Sequence, residues 1–80
     1  MNNKEKYDNT YMECFGIKYE ALTEALCYQS IEAWDSVGHM ELIAQLEDAF
    51  EIEMEMDDII DFSSYMKGME LLEKYNIELD

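Results

Sequence analysis

Apolar positions recur at helical intervals in three stretches of the chain. In "KEKYDNTYMECF" Tyr7, Tyr11 and then Cys14 or Phe15 follow at steps of three and four, one face of a helix. This predicts a helix over about 3–15, with Gly16 as its stop. In "AWDSVGHMELIAQLEDAF" Leu42, Ile43, Leu46 and Phe50 form an apolar stripe, with Glu41, Gln45, Glu47 and Asp48 on other faces. A second amphipathic helix follows over about 36–50. In "SSYMKGMELLEKY" a Ser cap at Ser63 or Ser64 precedes Met66, Met69, Leu72 and Tyr75, predicting a helix over about 64–75. Gly68 inside it costs roughly 1 kcal/mol in propensity relative to Ala, so that helix depends on its packing.

The segments between are less regular. From about 16 to 35 no single period holds Leu22, Leu26, Tyr28 and Ile31, which reads as a long loop pinned into the core, with a turn of helix at Leu22–Leu26. Loops of that length usually have a function. "EIEMEM" alternates acidic and apolar residues as a strand would, but it has no partner strand and reads as an extended connector. "DDIID" makes one short helical turn over about 57–61. The chain has no proline and only three glycines, so little interrupts its helices. One all-α domain spanning residues 1–80 is expected, a small four-helix bundle with three main helices, one short one and a long first loop.

Charge changes this picture most. Twenty Asp and Glu stand against five Lys and Arg, a formal net charge of −15. No Lys or Arg lies between Lys18 and Lys67. Such a field repels nucleic acid and anionic membranes and steers basic surfaces toward it. The plain alternative is a solvated acidic face. Carboxylates at Glu51 to Asp61 raise calcium binding, but the EF-hand spacing is absent, and no metal site is expected. Cys14 and Cys27 are too few for a disulfide framework or a zinc site and read as reduced thiols of a cytoplasmic protein. "MNNKEKYDNTYMEC" lacks the apolar run of a secretory leader, and no apolar run approaches membrane-spanning length.

The candidate chemistry lies at the head of the second helix. Asp35 suits an N-cap, leaving Ser36 as the first helical residue, exposed and without a packing role. On its own the serine is either ordinary surface polarity or a handle for a covalent group. His39 lies one turn on, but there is no G-x-S-x-G elbow, and a bundle this small offers little concavity for a hydrolase pocket. His39 reads as an exposed helix residue. Val37, Met40 and Ala44 continue a shallow apolar strip beside the serine, rimmed by Glu41, Glu47 and Asp48, a candidate docking surface.

Asp35-Ser36-Val37, then Met40-Glu41-Leu42-Ile43, Leu46-Glu47-Asp48 and Phe50-Glu51-Ile52, together resemble the acyl carrier proteins. Phe15-Gly16-Ile17 matches the end of that family's first helix, Leu22 and Tyr28 the anchors of its long loop, Asp57 to Asp61 its short helix and Ser63 to Tyr75 its last. The resemblance implies an acyl-carrier-like bundle in which Ser36 bears 4'-phosphopantetheine, transferred from coenzyme A by a phosphopantetheinyl transferase. It implies a carrier without catalytic activity of its own, holding acyl or aminoacyl groups as thioesters in fatty acid, polyketide or nonribosomal peptide biosynthesis. Its partners would be loading and transferring enzymes with basic patches, recognising Asp35, Val37, Met40, Glu41, Ala44, Glu47 and Asp48. Ala33-Trp34 replaces the family's usual Gly-Ala, Val37 its Leu and Glu51 its Gly, and the connector lacks the common proline. Trp34 either packs over the core under the loop or flanks the arm. The competing reading is an unmodified acidic interaction module, in which Ser36 stays bare.

Overall fold

The computed structural model describes residues 2–79, which form four α-helices: α1 (Asn3–Phe15), α2 (Ser36–Phe50), α3 (Met56–Asp61) and α4 (Tyr65–Lys74). Each main helix is capped by local chemistry. The Asn2 side chain accepts from the Glu5 N–H at 2.8 Å, and Gly16 ends α1 in the left-handed conformation at φ 64°. Ser64 Oγ accepts from the Lys67 N–H at 2.9 Å at the head of α4. α2 ends on Glu51 at φ 54°, a left-handed position at which a glycine carries no Cβ penalty. That is where the resemblance leads one to expect glycine.

α1 lies against α2, and Tyr7, Tyr11 and Phe15 bury the face that the period predicts. They join Trp34, Leu42, Ile43, Leu46, Phe62, Tyr65 and Leu72 in one core, with Phe50 only partly buried beside it. The core is aromatic and internally hydrogen-bonded. Tyr7 donates to the Tyr65 carbonyl at 2.6 Å, and its oxygen stands 2.9 Å from the Tyr11 hydroxyl. Since the Tyr7 proton goes to the carbonyl, Tyr11 is the donor to Tyr7. Burial raises both phenols well above their ordinary range. The buried Asp8 carboxylate receives Lys4 at 2.9 Å and the Tyr65 hydroxyl at 2.6 Å.

Two details differ from the expected pattern. The buried face of α4 is Tyr65, Gly68, Leu71 and Leu72, with Met66 exposed and Met69 only partly buried. Hydropathy pointed to the methionines because Tyr65 and Gly68 carry weak apolar signals. Gly68 is nonetheless the contact that matters, since a Cβ there would run into the Phe62 ring and the Tyr7 hydroxyl. In the long loop the helical turn is a 3₁₀ turn at Tyr19–Ala21, ahead of Leu22–Leu26, and it leaves Leu26 free to bury. "EIEMEM" is a connector: Met54 is buried and its N–H donates to the Glu47 carboxylate at 2.8 Å. Among the described residues the sole strand-like feature is an antiparallel bridge between Cys27 and Ser64. Cys14 and Cys27 are half-buried free thiols.

Candidate functional site

The head of α2 is built by its own sequence. Asp35 is extended, with φ −103° and ψ −169°, and its carboxylate accepts from the Gly38 N–H at 2.8 Å. Ser36 is thereby the first helical residue and is exposed. The N–H groups at the first positions of a helix have no intrahelical acceptor. An exposed hydroxyl there, next to unpaired amides and the positive end of the helix, suits a phosphodiester.

Ser36 is not paired with histidine. Its Oγ lies 2.9 Å from the Tyr28 hydroxyl. His39, expected as a plain exposed residue, is half-buried and engaged at both ring nitrogens. Trp34 Nε1–H donates to His39 Nδ1 at 3.0 Å, and His39 Nε2 lies 2.8 Å from the Ile59 carbonyl. Indole N–H is a donor only. Nδ1 is therefore the acceptor, and Nε2 carries the proton given to Ile59. The His39 and Trp34 rings lie nearly coplanar, 14° apart with centroids 6.2 Å from each other, as their edge-to-edge hydrogen bond requires. His39 thus ties the loop, α2 and α3 together and offers Ser36 no base.

Trp34 is fully buried, which resolves its two readings in favour of the core. Val37 (68% exposed), Met40 (55%) and Ala44 line the solvent side of α2, with Glu41 and Asp48 also exposed. Glu47 departs from that group, since its carboxylate turns inward to cap Met54. Sequence reading missed a groove of about 290 Å³ beside the serine, lined chiefly by Tyr28, His39, Met40, Ile59, Ile60 and Phe62. A signal for it existed. In a one-turn helix the adjacent pair Ile59-Ile60 cannot both face the core, and Ile60 is in fact 70% exposed. Among the described residues no group of three or more His, Cys, Asp or Glu is placed to hold a metal ion, and no helix is long and apolar enough to cross a membrane.

Residues 34–67 match the family model described as the phosphopantetheine attachment site. The matched span runs from Trp34 through α2 and α3 into α4, and so contains Ser36 and the lining of the groove apart from Tyr28. No curated protein and no solved structure matches the chain. With the helical bundle around the matched segment, this match supports a carrier protein of the phosphopantetheine-binding family. The group such a domain carries is 4'-phosphopantetheine, and carrying it implies dealings with enzymes such as transferases.

Proposed function

We propose that Ser36 is the residue to which phosphopantetheine is attached, and that the chain acts as a single cytoplasmic carrier domain presenting acyl or aminoacyl thioesters to partner enzymes. One observation carries this reading: within the matched segment, Ser36 is an exposed hydroxyl at the first position of a capped helix. The prosthetic group supplies a flexible arm ending in a thiol, which holds cargo as a thioester. The protein supplies placement and recognition. Asp35 fixes the helix start, the unpaired amides of α2 favour the phosphodiester charge, and Ser36 projects where a transferase can reach it. Beside it, Val37, Met40 and Ala44 give a partner a small apolar contact. Asp35, Glu41 and Asp48 favour enzymes with basic docking patches, speeding encounter more than tightening the complex. Glu47 contributes its charge to this field, although its side chain is committed to the connector.

The experiment is intact-mass spectrometry after incubation with coenzyme A and a promiscuous phosphopantetheinyl transferase. The wild type is expected to gain the mass of one phosphopantetheine, and Ser36→Ala none. A folded wild type that gains nothing would leave Asp35-Ser36 as a helix cap on an unmodified acidic interaction module. A gain that persists in Ser36→Ala would move attachment to another hydroxyl.

A further inference from the structure

The Tyr28 hydroxyl sits 2.9 Å from Ser36 Oγ, and the loop that carries it is held in place on several sides. Its backbone N–H donates to the Ser63 carbonyl at 2.9 Å. The Tyr65 N–H donates to Leu26 at 2.9 Å and the Gln29 N–H to Trp34 at 2.8 Å, so residues before and after Tyr28 are also tied. The side chain is braced as well. Its ring meets the edge of His39 at 5.7 Å and 72°, and His39 is itself fixed by Trp34 and Ile59. A half-exposed aromatic residue fixed this thoroughly, with its one polar atom on the candidate attachment oxygen, is more than a loop anchor.

We propose that Tyr28 is a positioning residue for the modification of Ser36: it aims Oγ during transfer and then holds the root of the attached arm. This rests on Ser36 being the attachment residue. A phenol is a better hydrogen-bond donor than an aliphatic alcohol, so Tyr28 donates to Oγ and leaves the serine's own proton free. In the transfer, an Oγ lone pair forms the new bond to the phosphorus that bears pantetheine. The bond from that phosphorus to the bridging oxygen of the coenzyme A pyrophosphate breaks, and its electron pair leaves with adenosine 3',5'-bisphosphate. The Oγ proton goes to a base of the transferase. Tyr28 neither gains nor loses a proton; it selects the side-chain rotamer of Ser36 that faces solvent. Once Oγ is an ester oxygen it accepts poorly, and the Tyr28 O–H turns to a charged phosphate oxygen, the stronger acceptor.

Tyr28→Phe keeps the ring and its contact with His39 and removes only the hydroxyl. Initial rates of mass gain, taken over a range of carrier concentrations, separate kcat from KM for the transferase. Tyr28→Phe should lower kcat roughly three- to ten-fold, the size of one neutral hydrogen bond, with KM and melting temperature unchanged. The ³¹P resonance of the modified Tyr28→Phe protein should differ from that of the modified wild type. Equal kcat or coincident ³¹P resonances would overturn the proposal. So would a loss confined to KM or accompanied by a lower melting temperature, which assigns Tyr28 to packing. If the wild type itself gains no mass, the attachment reading falls and this one with it, an outcome distinct from a modified pair that behaves alike.

Discussion

At Gly38 the absence of one methyl group lets the loop close on the head of α2. A Cβ there would overlap the Ala33 carbonyl and crowd the Asp35 carboxylate that caps the helix. The obstructing atoms are backbone, so they cannot swing aside as a side-chain tip would. Alanine would recover about 1 kcal/mol of helix propensity against an overpacking cost of roughly 1–3 kcal/mol. Gly38→Ala should therefore destabilise the fold by about 1–2 kcal/mol at the upper end of that cost. A urea titration would show it, along with a change in Trp34 fluorescence, because Trp34 follows the displaced carbonyl. An unchanged or higher midpoint would mean that the Ala33 turn yields easily. The crowding atom comes from a loop without periodicity, out of reach of the local pattern around Gly38. Asp35 as cap and Ser36 as first helical residue were legible because capping is local chemistry. The Tyr28 hydroxyl on Ser36 and the two bonds of His39 were not, since each depends on where the loop and α3 come to rest.

α3 has six residues, too few to be stable as an isolated helix, so its tertiary contacts must hold it beside the candidate site. His39 takes its Ile59 carbonyl. Next to Ile59, Asp58, a buried carboxylate, receives Lys74 Nζ at 2.8 and 3.1 Å and a short hydrogen bond from the Tyr75 hydroxyl. Tyr75 Oη in turn accepts the Glu55 N–H at 2.9 Å. The end of α4 is thus clamped onto the start of α3. The Lys74 hydrogen bond, and after it the Tyr75 one, hold the Asp58 carboxyl below its ordinary value. The same pair raises Lys74. A carboxyl lowered on folding stabilises above its unfolded pKa, about 4, and loses that contribution as pH falls through its lower folded value. The raised lysine contributes fully below its unfolded pKa, about 10.4, and loses it as pH rises through the folded value. Asp58→Asn should therefore be less stable than wild type at pH 6, with the gap closing as pH is lowered toward 2. The gap is the quantity to measure, because protonating the other carboxylates relieves self-repulsion in both chains. A gap that stays constant would mean that Asp58 contributes packing and no charge. The elements themselves were largely legible. α2 buries an aliphatic stripe and α1 an aromatic one at the expected spacing, whereas the inner face of α4 is offset because Tyr65 and Gly68 pack there beside Leu71 and Leu72 in place of the methionines.

Over the whole molecule the cations are few and some are already committed. Of the five Lys and Arg, Lys4 and Lys74 face the buried carboxylates of Asp8 and Asp58. None lies between Lys18 and Lys67, the window that holds all of α2 and α3, so the surface around Ser36 carries a nearly unopposed negative field. That field repels itself within the fold and attracts a basic partner outside it, and salt screens both interactions. One titration therefore has opposite effects on the two. Raising salt from about 20 to about 300 mM shortens the screening length from roughly 20 Å to below 8 Å. The melting temperature should rise by several degrees, since each kcal/mol of relieved repulsion is worth roughly 4–8 °C in a domain this size. Over the same range the association rate with a phosphopantetheinyl transferase should fall by about tenfold or more, while the dissociation rate changes little, because rim charges act mainly on encounter. Differential scanning calorimetry reads the first effect and stopped-flow fluorescence the second. A melting temperature that rises while association holds steady would place recognition on the apolar strip of Val37, Met40 and Ala44 instead of on the charges around it. A dissociation rate that climbs with salt would mean that the acidic residues are buried in the complex, where losing a partner charge is costly.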